Sequence, residues 1–334
     1  MTTNPSPLLI DRFGRIVDYL RVSITDRCDF RCIYCMSENM EFLPRAQILS
    51  LEEIEKVCRA FVELGVHKIR ITGGEPMVRK GAMDLLRNIG RLEGLRELVL
   101  TTNGSQLEAL AGDLKACGVK RINISLDTLD AALFKQMTRV GDLNTVLRGI
   151  DAAIAADFQR IKLNAVILKN RNHQEVRKLV DFAIAKRIDI SFIEEMPLGM
   201  IESHDRAEEY YSSDQIKADL ESHLTLLPDT THTGGPSRYF RVADSETKVG
   251  FISPHSHNFC GDCNRVRLTA EGRLLLCLGN EHSVDLKQIL RSNPDNLPAL
   301  KNAIVDAMQI KPEKHDFDLS EKPVIFRHMS VTGG

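Results

Sequence analysis

Between residues 18 and 196, short runs of aliphatic and β-branched residues alternate with longer amphipathic stretches. The short runs predict strands at Asp18–Thr25, Lys68–Thr72, Glu97–Asn103, Arg121–Asp127, Lys162–Leu168 and Asp189–Met196. The intervening "LEEIEKVCRAFVELGV", "QLEALAGDLKACG" and "HQEVRKLVDFAIAKR" predict helices, the first opened by a capping box of Ser50 with Glu53. Strand and helix alternating at this spacing argue for a parallel sheet with right-handed crossovers, open or closed as a barrel.

The strand faces carry further information. Parallel strands in such folds are usually apolar on both faces. Here alternate positions are polar: Arg21, Ser23 and Thr25; Arg70 and Thr72; Thr101 and Asn103; Asn123, Ser125 and Asp127; Lys162 and Asn164. The residues between them, such as Val22, Ile24, Ile69, Ile71, Ile122, Ile124 and Leu163, are aliphatic and suit packing beneath helices. One polar residue of this kind reads as a satisfied core group. Five strands sharing the pattern imply a polar barrel interior open to a ligand, since buried polar groups without partners are costly.

The organisation changes near Thr230. "THTGGPSRYF" is a turn-rich boundary, and "SRYFRVADSETKVGFISP" and "RVRLTAEGRLLLCL" read as hairpins. Two helical stretches and a polar tail follow. The expected division is therefore residues 1–230 and residues 231–334.

Composition narrows the function. The 334 residues are 43% hydrophobic and 27% charged, ordinary for a soluble globular protein. Net charge is −2, from 44 basic and 46 acidic residues, which argues against a general nucleic-acid or membrane-surface binder. A polyanionic ligand would have to be met locally, and Arg21, Arg70 and Lys162 share the polar strand face. The first twenty residues lack the form of a signal peptide. No stretch approaches the ~18 apolar residues of a membrane span. A cytoplasmic setting is expected, where clustered cysteines read as metal or catalytic sites. Six of the eight cysteines fall in two trios, while Cys58 and Cys117 read as buried core thiols.

The first trio is "CDFRCIYC", Cys28, Cys32 and Cys35, directly after the first predicted strand. A zinc knuckle would bring four ligands, and a redox pair would leave Cys28 unexplained. A four-iron cluster with three protein thiolates leaves one iron open to another ligand. The C-x3-C-x2-C spacing, with Tyr34 just before the last cysteine, resembles the radical S-adenosylmethionine enzymes, as does "GGEP" at Gly73–Pro76 after the second strand. That resemblance implies a [4Fe-4S] cluster that splits S-adenosylmethionine to give a 5′-deoxyadenosyl radical.

The second trio, Cys260, Cys263 and Cys277, lies in "CGDCNRVRLTAEGRLLLC". On its own it competes with a zinc ribbon completed by His255 or His257. Arg265 and Arg267, two apart on a predicted strand, place both guanidiniums on one face and suit an anionic or nucleotide substrate. With this trio the chain resembles the GTP 3′,8-cyclases nearly end to end, from "LRVSITDRCDFRCIYCM" through "TGGEP", "TTNG" and "NISLDTL" to the terminal "GG".

The resemblance implies a partial (β/α)6 TIM-like barrel closed by a C-terminal annex with antiparallel hairpins and helices. It implies two [4Fe-4S] clusters, on Cys28, Cys32 and Cys35 and on Cys260, Cys263 and Cys277. S-adenosylmethionine falls to Tyr34, Gly74, Ser125 and Met196. GTP falls to Arg21, Arg70, Thr101, Lys162, Arg265, Val266 and Arg267. Arg21, Arg265, Arg267, Gly333 and Gly334 are the catalytic candidates, the tail being expected to reach into the barrel. The implied reaction is cyclisation of GTP to (8S)-3′,8-cyclo-7,8-dihydroguanosine 5′-triphosphate, the first step of molybdenum cofactor biosynthesis and a lyase activity. The implied partners are an external one-electron reductant of flavodoxin type and a downstream cyclic pyranopterin monophosphate synthase, with no nucleic acid and no membrane; a homodimer is allowed. A radical enzyme acting on a peptide or haem precursor is the nearest rival, and a non-catalytic metal-binding regulatory module is the rival of another class. The module leaves the cationic lining and GGEP unexplained.

Overall fold

A computed structural model describes residues 8–201, 203, 205–319 and 325–333 of the chain, so Gly334 lies outside the described residues. Six strands run across the sheet in chain order: β1 (Tyr19–Ser23), β2 (Lys68–Thr72), β3 (Glu97–Thr102), β4 (Val119–Ser125), β5 (Arg160–Val166) and β6 (Asp189–Ile193). Each pairs in parallel with the next. The helices between them are α1 (Leu51–Glu63), α2 (Ala82–Gly90), α3 (Leu107–Ala116), α4 (Ala131–Thr138), α5 (Leu143–Ala155) and α6 (Val176–Lys186). Both halves of the α1 capping box form: Glu53 N donates to Ser50 Oγ at 3.1 Å, and Ser50 N donates to Glu53 Oε2 at 2.7 Å. β4 and β5 start two residues before the predicted positions, because Val119 pairs with Leu98 and Arg160 with Arg121. A strand's ends are set by its partners as much as by its own composition.

Both C-terminal hairpins are present and do more than pack on the barrel. β7 (Leu226–Asp229), β8 (Arg238–Val242) and β9 (Lys248–Ile252) form an antiparallel meander, as do β10 (Arg265–Leu268), β11 (Arg273–Leu275) and β12 (Ser283–Asp285). β9 then adds in parallel to β6, and β10 in parallel to β1. Consecutive strands thus extend opposite edges of one twelve-stranded sheet among the described residues, a partial barrel widened from both sides. The segment between β9 and β10, which carries Cys260 and Cys263, has to run from one edge to the other. The remaining helices are α7 (Ser213–Glu221), α8 (Leu286–Ser292), α9 (Leu297–Met308) and α10 (Met329–Thr332). No described helix is long and apolar enough to cross a membrane.

The outward strand residues form the core. Val22, Ile24, Ile69, Ile71, Leu100, Ile122, Ile124 and Leu163 are all fully buried in one cluster with helix residues such as Ile54, Phe61 and Leu86. Cys58 and Cys117 are buried there as well. Burial of each large aliphatic side chain contributes about 1.5–3 kcal/mol, and this layer leaves the opposite face of every strand free to be polar.

One buried carboxylate ties the barrel to the annex. Glu194, just past β6, accepts hydrogen bonds from Ser213 N at the start of α7 (2.9 Å), from His255 N (3.0 Å) and from Ser256 N and Oγ. Burial acts against its charge, but these donors outweigh it and hold the carboxyl below its usual range. A carboxylate depressed on folding gives stability that is present above its unfolded pKa of about 4.3 and lost as pH falls. Glu194→Gln is therefore expected to cost about 1–3 kcal/mol at pH 7. Thermal melts from pH 7 to pH 3 should show the gap to the parent closing with acidity; a gap independent of pH would exclude a charged role.

Candidate functional site

Arg21, Arg70, Thr72, Thr101, Asn103, Asn123, Ser125, Asp127, Lys162 and Asn164 line one cavity on the inner side of the sheet, as the alternation predicts. Ser23 and Thr25 are the exceptions. Ser23 Oγ donates to Thr25 O (3.3 Å), and Thr25 Oγ1 accepts from Arg27 N (3.1 Å), so both serve the loop rather than the cavity.

Register assembles the cations. Arg267 of β10 pairs with Arg21 of β1, which pairs with Arg70 of β2, so three arginines stand side by side across three strands. Arg265 and Lys68 flank Tyr19 in the adjoining row. Arg70 Nε donates to Tyr19 Oη (2.5 Å) and Arg70 Nη1 to Thr101 Oγ1 (3.0 Å). Burial alone would raise the Tyr19 phenol, but Arg70, Arg21 and Lys68 pull it down to about 6. Burial, with the neighbouring arginines, lowers Arg21 to about 10 and holds Arg267 well below its usual range. Lys162 Nζ donates to Tyr239 Oη (3.1 Å), and the ammonium overrides burial to bring that phenol to about 8. Cations destabilised by burial and by each other make a strong anion receptor. The two tyrosines were missed by sequence reasoning; Tyr19 shares the face of Arg21 by simple alternation and could have been found that way.

Cys28, Cys32 and Cys35 border the same cavity from the loop after β1. GGEP locks that loop in place: Gly74 N donates to Thr25 O and Glu75 N to Arg27 O, both at 2.8 Å. A Cβ on Gly74 would overlap Arg27 O and stand 2.8 Å from Asp26 O, so glycine is required by the chain's own backbone. The Glu75 carboxyl, pushed up to about 7 by burial, accepts from Asn103 N (2.7 Å), Met77 N (3.0 Å) and Thr102 Oγ1 (2.9 Å). Tyr34 Oη donates to buried Asp127 Oδ2 (2.7 Å). Tyr34, Gly74, Ser125 and Met196 all border this cavity.

Cys260, Cys263 and Cys277 border a second cavity with Arg265, Val266 and Arg267. Val266 also packs in the apolar core. Arg21, Met196, Pro236, Arg267 and Leu278 border both cavities, so the two spaces adjoin. The tail enters here. Arg267 Nη1 donates to Gly333 O (2.8 Å), and a Cβ on Gly333 would overlap the Thr72 side chain. Gly333 has φ +74°, which favours glycine. The backbone of Ser330 hydrogen-bonds Cys35, whose thiol burial nonetheless pushes up to about 12.

The donors fit iron–sulfur clusters better than zinc. All six thiols are free of disulfides. Among the described residues no three His, Cys, Asp or Glu side chains converge as ligands of one ion. The two upstream histidines are engaged elsewhere: His255 Nε2 with Glu195 O (2.9 Å) and His257 Nε2 with Asp214 Oδ1 (2.8 Å). Buried thiolates need cationic partners, which iron would supply at both trios.

Comparison with known proteins agrees. The Radical SAM superfamily profile matches residues 22–183, and the Molybdenum Cofactor Synthesis C profile matches residues 188–317. The chain is 60% identical over 329 residues to a GTP 3′,8-cyclase of Pseudomonas savastanoi pv. phaseolicola (strain 1448A / Race 6), covering 98% of this chain and 99% of that one. It is 59% identical, with the same coverage, to a GTP 3′,8-cyclase of Pseudomonas syringae pv. syringae (strain B728a). In fold it resembles Streptococcus suis SuiB bound to S-adenosylmethionine, with TM-score 0.63 and 16% identity over 83% of this chain and 65% of that one.

Gly74→Ala should force the cluster loop off the barrel edge, lowering the melting temperature and the iron bound by the first trio after anaerobic reconstitution. Full iron content and parent stability in this variant would show that the loop yields without cost.

Proposed function

We propose an assignment of roles that starts from one premise: this chain belongs to the GTP 3′,8-cyclase family of radical S-adenosylmethionine enzymes. Its reaction is the cyclisation of GTP to (8S)-3′,8-cyclo-7,8-dihydroguanosine 5′-triphosphate, which opens molybdenum cofactor biosynthesis. Two [4Fe-4S] clusters and S-adenosylmethionine are its cofactors, and when bound they supply the 5′-deoxyadenosyl radical that takes the ribose 3′ hydrogen.

The observation that carries the assignment of residues is the row of one buried and two half-buried arginines, Arg70, Arg21 and Arg267, beside two cysteine-lined cavities. We assign Cys28, Cys32 and Cys35 to the cluster that binds S-adenosylmethionine, with Tyr34, Gly74, Ser125 and Met196 holding the cofactor beside it. Cys260, Cys263 and Cys277 hold the second cluster. Arg21, Arg70, Thr101, Lys162, Arg265, Val266 and Arg267 form the nucleotide site. A triphosphate brings negative charge to this crowd of cations, and guanidinium forks suit its oxygens. Arg21 and Arg267 border both cavities, so a nucleotide held across them turns its two ends toward different trios. In this reading residues 1–230 carry the radical chemistry and residues 231–334 the second cluster and the tail.

The reaction calls for an external one-electron reductant, of flavodoxin type, and a downstream cyclic pyranopterin monophosphate synthase to consume the product. The activity is of the lyase class. A cytoplasmic setting would keep the thiols reduced.

Anaerobic incubation with GTP, S-adenosylmethionine and dithionite, followed by mass analysis of the nucleotide, tests the whole assignment. Cys32→Ser should abolish S-adenosylmethionine cleavage, while Cys263→Ser should retain some uncoupled cleavage and lose the cyclised nucleotide. Equal loss of cleavage in both variants would remove the division of labour.

The tail is testable by itself. Removing Gly333 and Gly334 strips the carbonyl that Arg267 holds at 2.8 Å. Cyclisation should fall by at least ten- to hundred-fold, the effect of about 1.5–3 kcal/mol for a charge-assisted hydrogen bond, while cleavage continues. Normal cyclised product from the shortened chain would exclude a role for the tail.

A further inference from the structure

We propose that Lys311 is a charge-tuning residue of the second cluster, its ammonium raising the potential at which the group held by Cys260, Cys263 and Cys277 accepts an electron. The inference rests on the assignment of that trio to a [4Fe-4S] cluster.

Lys311 follows α9 and is 1% exposed, the most buried lysine or arginine among the described residues. Its Nζ donates to Leu276 O at 2.9 Å and to Cys263 Sγ at 3.6 Å. Leu276 immediately precedes Cys277, so a single ammonium touches the segments that supply two of the three thiols. Among the described residues no carboxylate pairs with it, although Lys68 has Glu97 at 2.9 Å. Burying an ammonium without counter-charge is costly, and three thiolates on an iron–sulfur group are a net negative partner.

Arg15 supplies the contrast that separates charge from scaffolding. It donates to Cys260 O (2.8 Å), Pro312 O (2.7 Å) and Glu313 O (2.7 Å), but its own charge is matched by Asp11 at 2.6 Å. Arg15 therefore clamps the loop that carries Lys311, while Lys311 brings the unmatched charge.

The first trio has the opposite setting. Cys28 Sγ accepts from neutral donors, Phe30 N (3.3 Å) and Asn103 Nδ2 (3.7 Å), and Asp29 Oδ1 lies 3.9 Å away. Asp127 stands behind Tyr34 on the same side. Net charge and hydrogen bonds to sulfur are among the terms that set iron–sulfur potentials. The first trio's thiols face carboxylates, with Arg31 spent on the Cys28 and Phe30 carbonyls, whereas Asp262 of the second trio is exposed and Lys311 is buried, so the second cluster should be the easier of the two to reduce.

The test uses a background in which Cys28, Cys32 and Cys35 are replaced by alanine, so that only the second site can carry a cluster. Iron content is measured first, then the midpoint potential by anaerobic dithionite titration followed by electron paramagnetic resonance. Lys311→Met and Lys311→Gln should shift the midpoint to lower potential, while Lys311→Arg stays near the parent. The glutamine variant keeps a donor toward Leu276 O, so it reports on charge even where the methionine variant fails to load. Unmoved midpoints in loaded Met or Gln variants would overturn the inference, as would an Arg variant shifted as far as Met. Loss of the cluster in all three variants would make Lys311 a structural anchor and overturn it too. Absence of iron from the parent background would overturn both the inference and the cluster assignment beneath it.

Discussion

The cost of burying like charges together governs the layout of this protein. Arg267, Arg21 and Arg70 are neighbours in register, with Lys68 and Arg265 beside Tyr19 in the next row. Such a row is unfavourable in an empty interior. The apolar layer of the same strands, with Ile69, Ile71, Ile122 and Leu163 fully buried, provides the stability that tolerates it. The cationic cavity lining and the core of the fold are thus two faces of the same strands.

The annex completes this arrangement by topology. β9 and β10 are consecutive, yet they extend opposite edges of the sheet. The connection between them must pass from edge to edge, and Cys260 and Cys263 sit on it. Arg267 reaches the arginine row only because β10 adds beside β1. The second cysteine trio therefore arrives beside the polar cavity as a consequence of strand pairing, without a separate interface having to form.

The backbone around the first trio serves two demands at once. Gly74 lets GGEP lie against Thr25–Arg27, and Glu75 then gathers donors from Met77, Thr102 and Asn103. The tail adds a third contact, with Ser330 on Cys35 and Gly333 on Arg267. Three distant pieces of chain meet at one loop, which gives a rigid mount for chemistry that tolerates little misplacement.

Much of this was legible in the residues alone. Period-two alternation assigned Arg21, Arg70, Thr101, Ser125 and Lys162 to one face because side chains on a strand must alternate, whatever the partner strands do. Cysteine spacing and order picked out the two trios, and the structure brings each to the border of one cavity. What the sequence left open was long-range. The pairing of β10 with β1, the charge of Tyr19's surroundings, the engagement of His255 and His257 and the approach of Lys311 to Cys263 each join residues far apart in the chain. No local pattern encodes such distances. They were decided by strand register and by helix packing, which come into existence only when the whole sheet assembles.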